Sequence, residues 1–337
     1  MRRILSPGRL IAAGLLLLGA VFAILWFAPS DTYIFLPDRA HPLAPLVTVR
    51  GEQPPKDGGG IYFVDVIQQK ATLLERLFPS IRDGSTLVPA GDLNPPGFGQ
   101  RQRMLQDARL MSRSQQIAAA LALRELGYKV IARPSGVMIS AVFGDTPAAG
   151  KLLPTDVVVA VDGRPVRTPR DLRRLIGRHR PGESVRLTVR GGSSLRRLVV
   201  GTIPDRQDPT RPIIGVIVDQ AAQIRLPVPV RINTGNVGGP SAGLAFALDL
   251  MEELGRDVDR GYRVAATGEL ELDGRVDQVG GLKQKTIGAR RTKVDVFLVP
   301  AGENAREARR YAGGVRIVPV HSFRQALRAL STLPPKA

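Results

Sequence analysis

The chain of 337 residues contains no cysteine, and only 5% of its residues are aromatic. The absence of cysteine excludes a thiol nucleophile, a zinc ribbon and an iron-sulfur cluster. It leaves the compartment open, because a protein without disulfides is compatible with either side of a membrane. Hydrophobic residues make up 43% of the chain and charged residues 23%. This composition is typical of a folded protein with a core, and the length allows two globular units.

Histidine is scarce as well. His41, His179 and His321 lie far apart in the sequence. A three-histidine metal site or a Ser-His-Asp relay would require these distant segments to converge. We therefore predict no metal and no cofactor, and we expect any acyl transfer to use a base other than histidine.

Acidic residues are few relative to basic residues, 30 against 48, which gives a net charge of +18. Eleven arginines lie between Gly163 and Val200, against only Asp171 and Glu183. Stacking aromatics do not alternate with these arginines, so the pattern favours a solvated face over a base-reading surface. We predict no specific nucleic-acid binding, and attraction to an anionic membrane or envelope polymer is the alternative use of this charge.

One long uncharged run lies near the amino terminus. Leu10 to Ala28 contains nineteen residues without a charge, and at about 1.5 Å per residue it is long enough to cross a hydrocarbon layer of ~30 Å. Three arginines precede it, so the positive-inside rule predicts a cytoplasmic tail over residues 1–9 and the bulk of the chain outside the membrane. We predict a single-pass transmembrane anchor over residues 10–28. A cleaved signal peptide is the alternative.

Residues 29–126 combine turn-forming and periodic segments. Pro37 to Gly60 is rich in proline and glycine and predicts a linker with a short strand at Leu46 to Val49, whereas Gly59 to Ile67 alternates as a half-buried strand does. Pro89 to Gly99 predicts an exposed loop. Ser112 to Gly127 predicts an amphipathic helix that stops at glycine.

Residues 127–218 have a different order of elements. A strand from Gly136, a short helix starting at Thr146, a strand over Asp156 to Val161, a tight turn at Gly163 and a helix from Thr168 follow one another. This order and the block TPAAGKLLPTDVVVAVDG together resemble a PDZ domain. The resemblance implies that an extended peptide is added to a sheet edge and that its carboxylate is held in a backbone nest.

The peptide-binding loop of a permuted PDZ domain can come last. We therefore expect the groove at the apolar-glycine-apolar segment Ile214, Gly215, Val216 and Ile217. A glycine there would let the backbone amides point at a carboxylate. A buried strand with a glycine kink is the alternative interpretation.

The segment NVGGPSAGLAFALDLMEELG places a serine at the start of a buried helix. Gly238, Gly239 and Pro240 precede Ser241, and an apolar stripe begins at Leu244. Backbone amides and the helix dipole favour developing negative charge at such a position, as a nucleophile and its oxyanion hole require. A helix cap is the alternative role for Ser241.

Two further segments follow. ATGELELDGRVDQVGG predicts a strand over Val264 to Thr267 and then a hairpin, and GLKQKTIGARR starts a helix with Lys283 and Lys285. The two lysines lie about 200° apart around the helix, so one can face a core while the other faces solvent. Burial can lower the pKa of a lysine from ~10.4 by several units, and the neutral amine can then deprotonate a serine. A solvated cation is the alternative for each.

GPSAGLA, TGEL and GGLKQK occur in this order and resemble the proteolytic domain of Lon proteases over about Leu226 to Leu333. The resemblance implies a Ser-Lys dyad in which Ser241 is the nucleophile and Lys285 the general base, with Lys283 facing outward. It also implies that the Thr267 hydroxyl orients the lysine amine. Amides from Gly239 to Ala242 are then expected to hold the oxyanion.

Two features depart from family patterns. Gly238 stands where the Lon pattern usually has an acidic residue, which predicts slower or more conditional activity. Gly144 to Leu152 has five residues between its glycines and Leu152 where a Walker A loop needs Ser or Thr. We therefore expect no ATP motor.

The anchor, PDZ and Lon-like parts together resemble the membrane-anchored PDZ-Lon proteins. The expected fold class is α/β (α+β), with a β-rich, permuted PDZ domain over 127–218 and a Lon-type proteolytic domain over 219–337. The carboxyl region predicts strands at Val294 to Val299 and Val315 to Val318, with helices at Glu303 to Ala312 and Ser322 to Leu330. The strand and helix within 29–126 resemble the opening elements of a Lon-type domain. The PDZ domain is then either inserted in the protease domain or a separate module.

The function implied is an ATP-independent, membrane-anchored serine endopeptidase of unfolded or PDZ-selected extracytoplasmic proteins. Its expected partners are a protein or peptide segment in the PDZ groove, the membrane and, since Lon-type domains often form rings, further copies of the chain. The alternative is a catalytically inactive PDZ scaffold that tethers envelope proteins.

Overall fold

The computed structural model of the protein describes residues 7–49, 58–93, 100–235, 237–334 and 336. The helices found in these ranges are α1 (Pro7–Phe27), α2 (Leu73–Leu77), α3 (Ala90–Leu93), α4 (Gln100–Glu125), α5 (Pro169–Ile176), α6 (Gly243–Glu253), α7 (Leu282–Arg291), α8 (Glu303–Tyr311) and α9 (Phe323–Ser331). Short 3-10 turns cover Ala44–Leu46 and Pro79–Ile81.

The strands found in the same ranges belong to two large sheets and several two-stranded ladders. They are β1 (Pro29–Pro42), β2 (Val47–Val49), β3 (Gly60–Thr72), β4 (Thr86–Pro89), β5 (Ile131–Val142), β6 (Val157–Val161), β7 (Arg164–Pro165), β8 (Ser184–Gly191), β9 (Ser194–Gly201), β10 (Ile203–Pro204), β11 (Pro212–Ile213), β12 (Val216–Arg225), β13 (Val230–Ile232), β14 (Arg263–Ala266), β15 (Glu269–Leu270), β16 (Val276–Asp277), β17 (Val296–Pro300) and β18 (Arg316–Val320).

The first sheet has the strand order β18-β17-β14-β3-β1-β4. The strands from β18 to β3 run parallel, and β1 and β4 are antiparallel to their neighbours. Along β14, Val264 and Ala266 join a core with α4, α6 and α9, whereas Ala265 joins a core with α7 and α8. Because successive side chains point to opposite faces, helices cover both sides of the sheet.

The second sheet, β12-β5-β6-β8-β9, lies between β4 and β14 in the chain order. Its core includes Val137, Val158 and Leu187 and is closed by Leu172 and Ile176 of α5. The Thr168 side chain accepts a hydrogen bond from the Asp171 amide and so caps α5. The chain thus leaves the first sheet after β4, builds the second sheet and returns to the first sheet at β14.

The α/β class and the elements near the serine and lysine blocks agree with expectation, but several local predictions were wrong. The first residues of the predicted linker, 37–42, belong to β1. The short strand expected at Leu46 to Val49 is confirmed as β2, and residues 50–57 of the linker lie outside the described ranges. The register in which β1 pairs with β3 shifts between Pro37 and Ala40. Pro37, which has no N–H to donate, therefore lies at an irregularity of the sheet, where proline is tolerated. Turns replace the helix expected from Thr146, and α4 begins at Gln100 rather than Ser112. The predicted loop at Pro89 to Gly99 contains α3, and its residues 94–99 lie outside the described ranges.

Helix α1 covers most of the predicted anchor, and the structure describes its side chains from Ile11 onward. Large apolar side chains such as Leu16 and Phe27 are exposed along it. Over the described residues, no helix combines the length and apolar character needed to cross a bilayer.

Candidate active site

Lys285 is buried inside the molecule. It lies in the second turn of α7, which begins after Gly281, a residue with a φ of 74°. The side chain is 3% exposed. Burial lowers the pKa of the Lys285 amine to about 8, although the nearby Asp65 carboxylate acts in the opposite direction. An amine in this state can accept a proton near neutral pH, which an exposed lysine cannot do.

Ser241 lies in the turn immediately before α6. Gly239 has a φ of 88°, a left-handed conformation that favours glycine. The Ser241 carbonyl is fixed at two points, since it accepts hydrogen bonds from the Gly268 amide at 2.8 Å and from the Thr267 hydroxyl at 3.1 Å. Ala242 occupies the cap position of α6 without a side-chain cap bond. The serine therefore does not cap the helix, which was the alternative role considered for it.

Thr267 connects the two candidate catalytic residues. Its hydroxyl oxygen accepts a hydrogen bond from the Lys285 Nζ at 3.1 Å while its proton goes to the Ser241 carbonyl. Thr267 follows directly after β14 and is fully buried. A hydroxyl can act as donor and acceptor at once. Thr267 therefore fixes the direction of the Lys285 amine relative to the turn that contains Ser241, residues 238–243, which we call the serine turn.

Ser241 and Lys285 line one cavity of about 720 Å³. Its wall is mostly apolar, with Phe35, Val66 and Met111 among the contributors. Strand β3 forms one side of it. Strand β14 pairs with one edge of β3 only as far as Phe63, whereas β1 pairs with the other edge as far as Thr72. Among the described residues, β3 therefore has a single neighbouring strand beyond Phe63, and its unpaired edge faces the cavity.

Asp65 is the one carboxylate among the residues that line this cavity in the described part of the chain. Its pKa is raised by burial and by the neighbouring Asp38, while His41 and Lys285 lower it. The His41 Nε2 lies 3.6 Å from the Asp65 Oδ1. Asp65 favours the protonated lysine, so it limits how far burial can lower the pKa of Lys285.

The amides expected to hold the oxyanion are not equivalent. The Gly239 amide already donates to the Asp107 carbonyl at 3.1 Å. It could join an oxyanion hole only if that bond broke. Pro240 has no N–H. The Ser241 and Ala242 amides are therefore the better candidates for stabilising a tetrahedral intermediate in this conformation.

Lys283 lies away from the candidate dyad, as the helical spacing predicts. Its Nζ donates to the Ser85 carbonyl at 2.8 Å and lies 5.8 Å from the centre of the Tyr311 ring. The residue is half-buried and has partners of its own. It is thus a structural cation rather than a freely solvated one.

The expected peptide-binding segment borders a second cavity, of about 290 Å³, between α5 and β12. Ile214, Gly215 and Val216 line it. Ile217 does not, because side chains alternate along β12, and it is 50% exposed. Strand β12 is at the edge of its sheet, which suits the addition of a peptide strand.

Several residues beside the dyad were not identified from the sequence. Asp65 is one of the polar residues in the alternating segment Gly59 to Ile67. The alternation predicts a half-buried strand but does not identify Asp65 as a neighbour of Lys285. Asp107 and Ser114 belong to α4 and contact the serine turn. Their contacts span more than 120 residues, which no local spacing can reveal.

Comparison with known proteins identifies two domain families in the chain. Residues 218–328 match the family of the Lon protease (S16) C-terminal proteolytic domain, and residues 124–201 match the PDZ domain family. The chain therefore carries a Lon-type proteolytic domain and a PDZ domain, and the two resemblances drawn from the sequence are confirmed.

Among similar proteins, the Lon protease of Chloroflexus aggregans is 40% identical over 104 residues, which are 29% of this chain and 12% of that protein. The Lon protease of Aquifex aeolicus is 39% identical over 87 residues, 26% of this chain and 11% of that protein. The chain thus spans only about an eighth of the curated relatives it matches. A crystal structure of the PDZ domain of an SdrC-like protein from Listeria monocytogenes covers 25% of this chain and 87% of its own, at 22% identity and a TM-score of 0.24.

Proposed function

We propose that this protein is a serine endopeptidase in which Ser241 is the nucleophile and Lys285 the general base. One observation carries the proposal: the Lys285 amine is buried, with its pKa lowered to about 8, on the cavity that Ser241 also lines. The bond from that amine to Thr267, which also holds the Ser241 carbonyl, supports it.

The reaction starts with neutral Lys285. The Ser241 Oγ attacks the peptide carbonyl carbon, and its proton passes to the lysine Nζ. The resulting oxyanion is held by backbone amides of the serine turn. Collapse breaks the C–N bond, and the lysine ammonium returns its proton to the leaving amine. Water then attacks the acyl-enzyme, with Lys285 again accepting and returning the proton.

Cleavage of an unfolded protein tests this proposal. Ser241→Ala and Lys285→Ala are each expected to abolish cleavage, because one removes the nucleophile and the other its base. Lys283→Ala is the matched control, since this lysine lies on the same helix and bonds to the Ser85 carbonyl. Equal loss of activity in the Lys283 and Lys285 variants would contradict the assignment.

We further propose that the PDZ groove selects the substrate. The cavity beside β12 is lined by apolar side chains, including Leu172, Ile176 and Ile214. The left-handed Gly215, with a φ of 83°, lies at its end. A peptide that ends in an apolar residue fits such a groove. Binding of a labelled peptide with a free carboxylate should be lost when the carboxylate is amidated.

We infer that the PDZ domain is inserted in the proteolytic domain. The support is the pairing of β3, which precedes the second sheet, with β14, which follows it. A fragment that starts at residue 219 should then fail to fold, because it lacks β1, β3 and α4. A stable, active fragment would contradict the insertion.

Membrane attachment and independence from ATP are also proposals. The uncharged run from Leu10 to Ala28 and the exposed apolar side chains of α1 support an anchor that leaves most of the chain outside the cytoplasm. Fractionation of cells that express the full chain, and protease treatment of intact cells, test this. The Leu152 at the magnesium position of the GDTPAAGKL segment supports cleavage without ATP, which an assay without nucleotide tests.

A further inference from the structure

Helix α4 contacts the serine turn at two points. The Asp107 carbonyl accepts a hydrogen bond from the Gly239 amide at 3.1 Å. Further along the helix, the Ser114 hydroxyl donates to the Pro240 carbonyl at 3.0 Å. Asp107 and Ser114 are seven residues apart, close to two full turns, so they lie on the same face of α4. The two bonds hold adjacent residues of the turn.

The packing around these bonds leaves little free space. A Cβ added to Gly238 would lie 2.8 Å from the Asp107 Cβ, and one added to Gly243 would lie 2.8 Å from the Ser114 Oγ. These glycines stand on either side of Ser241 in the sequence. Their lack of a side chain lets α4 approach the turn closely.

Ser114 is 2% exposed, so its hydroxyl is withdrawn from solvent. The Pro240 carbonyl also accepts a hydrogen bond from the Gly243 amide at 3.3 Å, so the bond from Ser114 is the shorter of its two. Without Ser114, only the Gly243 amide at the start of α6 would hold the Pro240 carbonyl, and the hydrogen bond that ties this residue to α4 would be lost. Loss of that tie would leave the next residue, Ser241, less firmly held relative to Lys285.

We propose that Ser114 and Asp107 are positioning residues, which hold the turn from Gly238 to Gly243 so that the Ser241 Oγ faces Lys285. The proposal rests on the proposed function, because it takes Ser241 as the nucleophile. Neither residue touches the reacting atoms. They act through the backbone of Gly239 and Pro240.

A pair of serine substitutions on α4 tests the proposal. Ser114→Ala should lower kcat on the order of tenfold to hundredfold, as small displacements of a reacting group do, with KM changed less than about twofold. Ser112→Ala is the matched control, because Ser112 is an exposed serine on the same helix. The pH midpoint set by Lys285 should be the same in both variants.

The readouts separate positioning from stability. A residue with only a structural role would lower Tm and leave kcat per folded molecule unchanged, so unchanged kcat in Ser114→Ala would overturn the proposal. The rate at which a serine-directed probe modifies Ser241 should fall with kcat. If the wild-type protein neither cleaves nor reacts with the probe, the proposed function fails and the positioning role fails with it.

A second pair tests the close approach at Asp107. Gly238→Ala should lower kcat, because the added Cβ collides with the Asp107 Cβ. Asp107→Gly removes that Cβ. The double variant, with both Gly238→Ala and Asp107→Gly, should therefore have a kcat at least about threefold higher than Gly238→Ala alone, because substitutions at residues in contact are not additive. Additive losses would overturn the role assigned to Asp107.

Discussion

Replacing the buried Lys285 with methionine should abolish cleavage and stabilise the protein at neutral pH. The pKa of this amine falls from its ordinary value of 10.5 to about 8, which corresponds to about 3 kcal/mol of unfavourable interaction with the charged form. Methionine has a similar shape and carries no charge. Loss of the bond to Thr267 offsets about 1 kcal/mol. A net gain of about 2 kcal/mol in the free energy of unfolding is therefore expected at pH 7.

The pH dependence gives this prediction its sign. Between pH 8 and pH 10.5 the unfolded chain keeps a proton on Lys285 that the folded protein has released. The free energy of unfolding of the wild type therefore rises with pH across this window. The advantage of Lys285→Met should shrink over the same window and be absent above it.

Urea unfolding, followed by circular dichroism at pH 7, 8, 9 and 10, measures this difference. Lys283→Met is the control, since its half-buried amine has the Ser85 carbonyl as a partner and should show no stabilisation of this kind. A Lys285→Met variant less stable than the wild type at pH 7 would contradict the destabilising effect of the buried charge. A difference in stability between the two proteins that did not change with pH would contradict it as well.

Two further predictions concern sites away from the dyad. Burial raises the pKa of Glu269 to about 7, although Arg113 opposes the shift. The contribution of this residue to the stability of the wild type should therefore fall as the pH rises from 4.5 to 7. At pH 8, Glu269→Gln should be about 2 kcal/mol more stable than the wild type in urea unfolding. A less stable variant would show that the ion pair dominates. Gly215→Ala should weaken peptide binding at least about tenfold in fluorescence anisotropy, because the positive φ of Gly215 and its contact with Thr146 exclude a side chain. Gly144→Ala is the control: Gly144 has open space around it, so this variant should bind the peptide as the wild type does. Equal affinities in these two variants would contradict the groove assignment.

The parts of the fold that were predicted correctly have local signals. The start of α5 at Thr168 and the turn at Gly163 follow from capping and turn residues, and Lys285 follows from its spacing and its motif. The serine, threonine and lysine come from three separate segments of the sequence. Their convergence could be expected only because the three motifs occur together in one family.

The parts that were missed depend on distant contacts. Strand β1 contains three prolines. Its sequence therefore resembles a linker, and only the pairing of β3 and β4 with its two edges makes it a strand. The first three turns of α4 carry mostly polar residues, so the apolar periodicity that indicated the helix begins only near Ser112. Asp65, Asp107 and Ser114 have no local signature at all, because each acquires its role from a segment far away in the sequence.

If Lys285 makes Ser241 nucleophilic, covalent labelling of Ser241 must depend on Lys285. The full chain is incubated with a serine-directed fluorophosphonate at pH 9, where most of the lysine is neutral, and the modified residue is identified by mass spectrometry. We expect one adduct, on Ser241, that forms far more slowly in Lys285→Ala and at the wild-type rate in Lys283→Ala. An unlabelled Ser241, or labelling that does not depend on Lys285, would contradict the role of Lys285 as the base that activates Ser241.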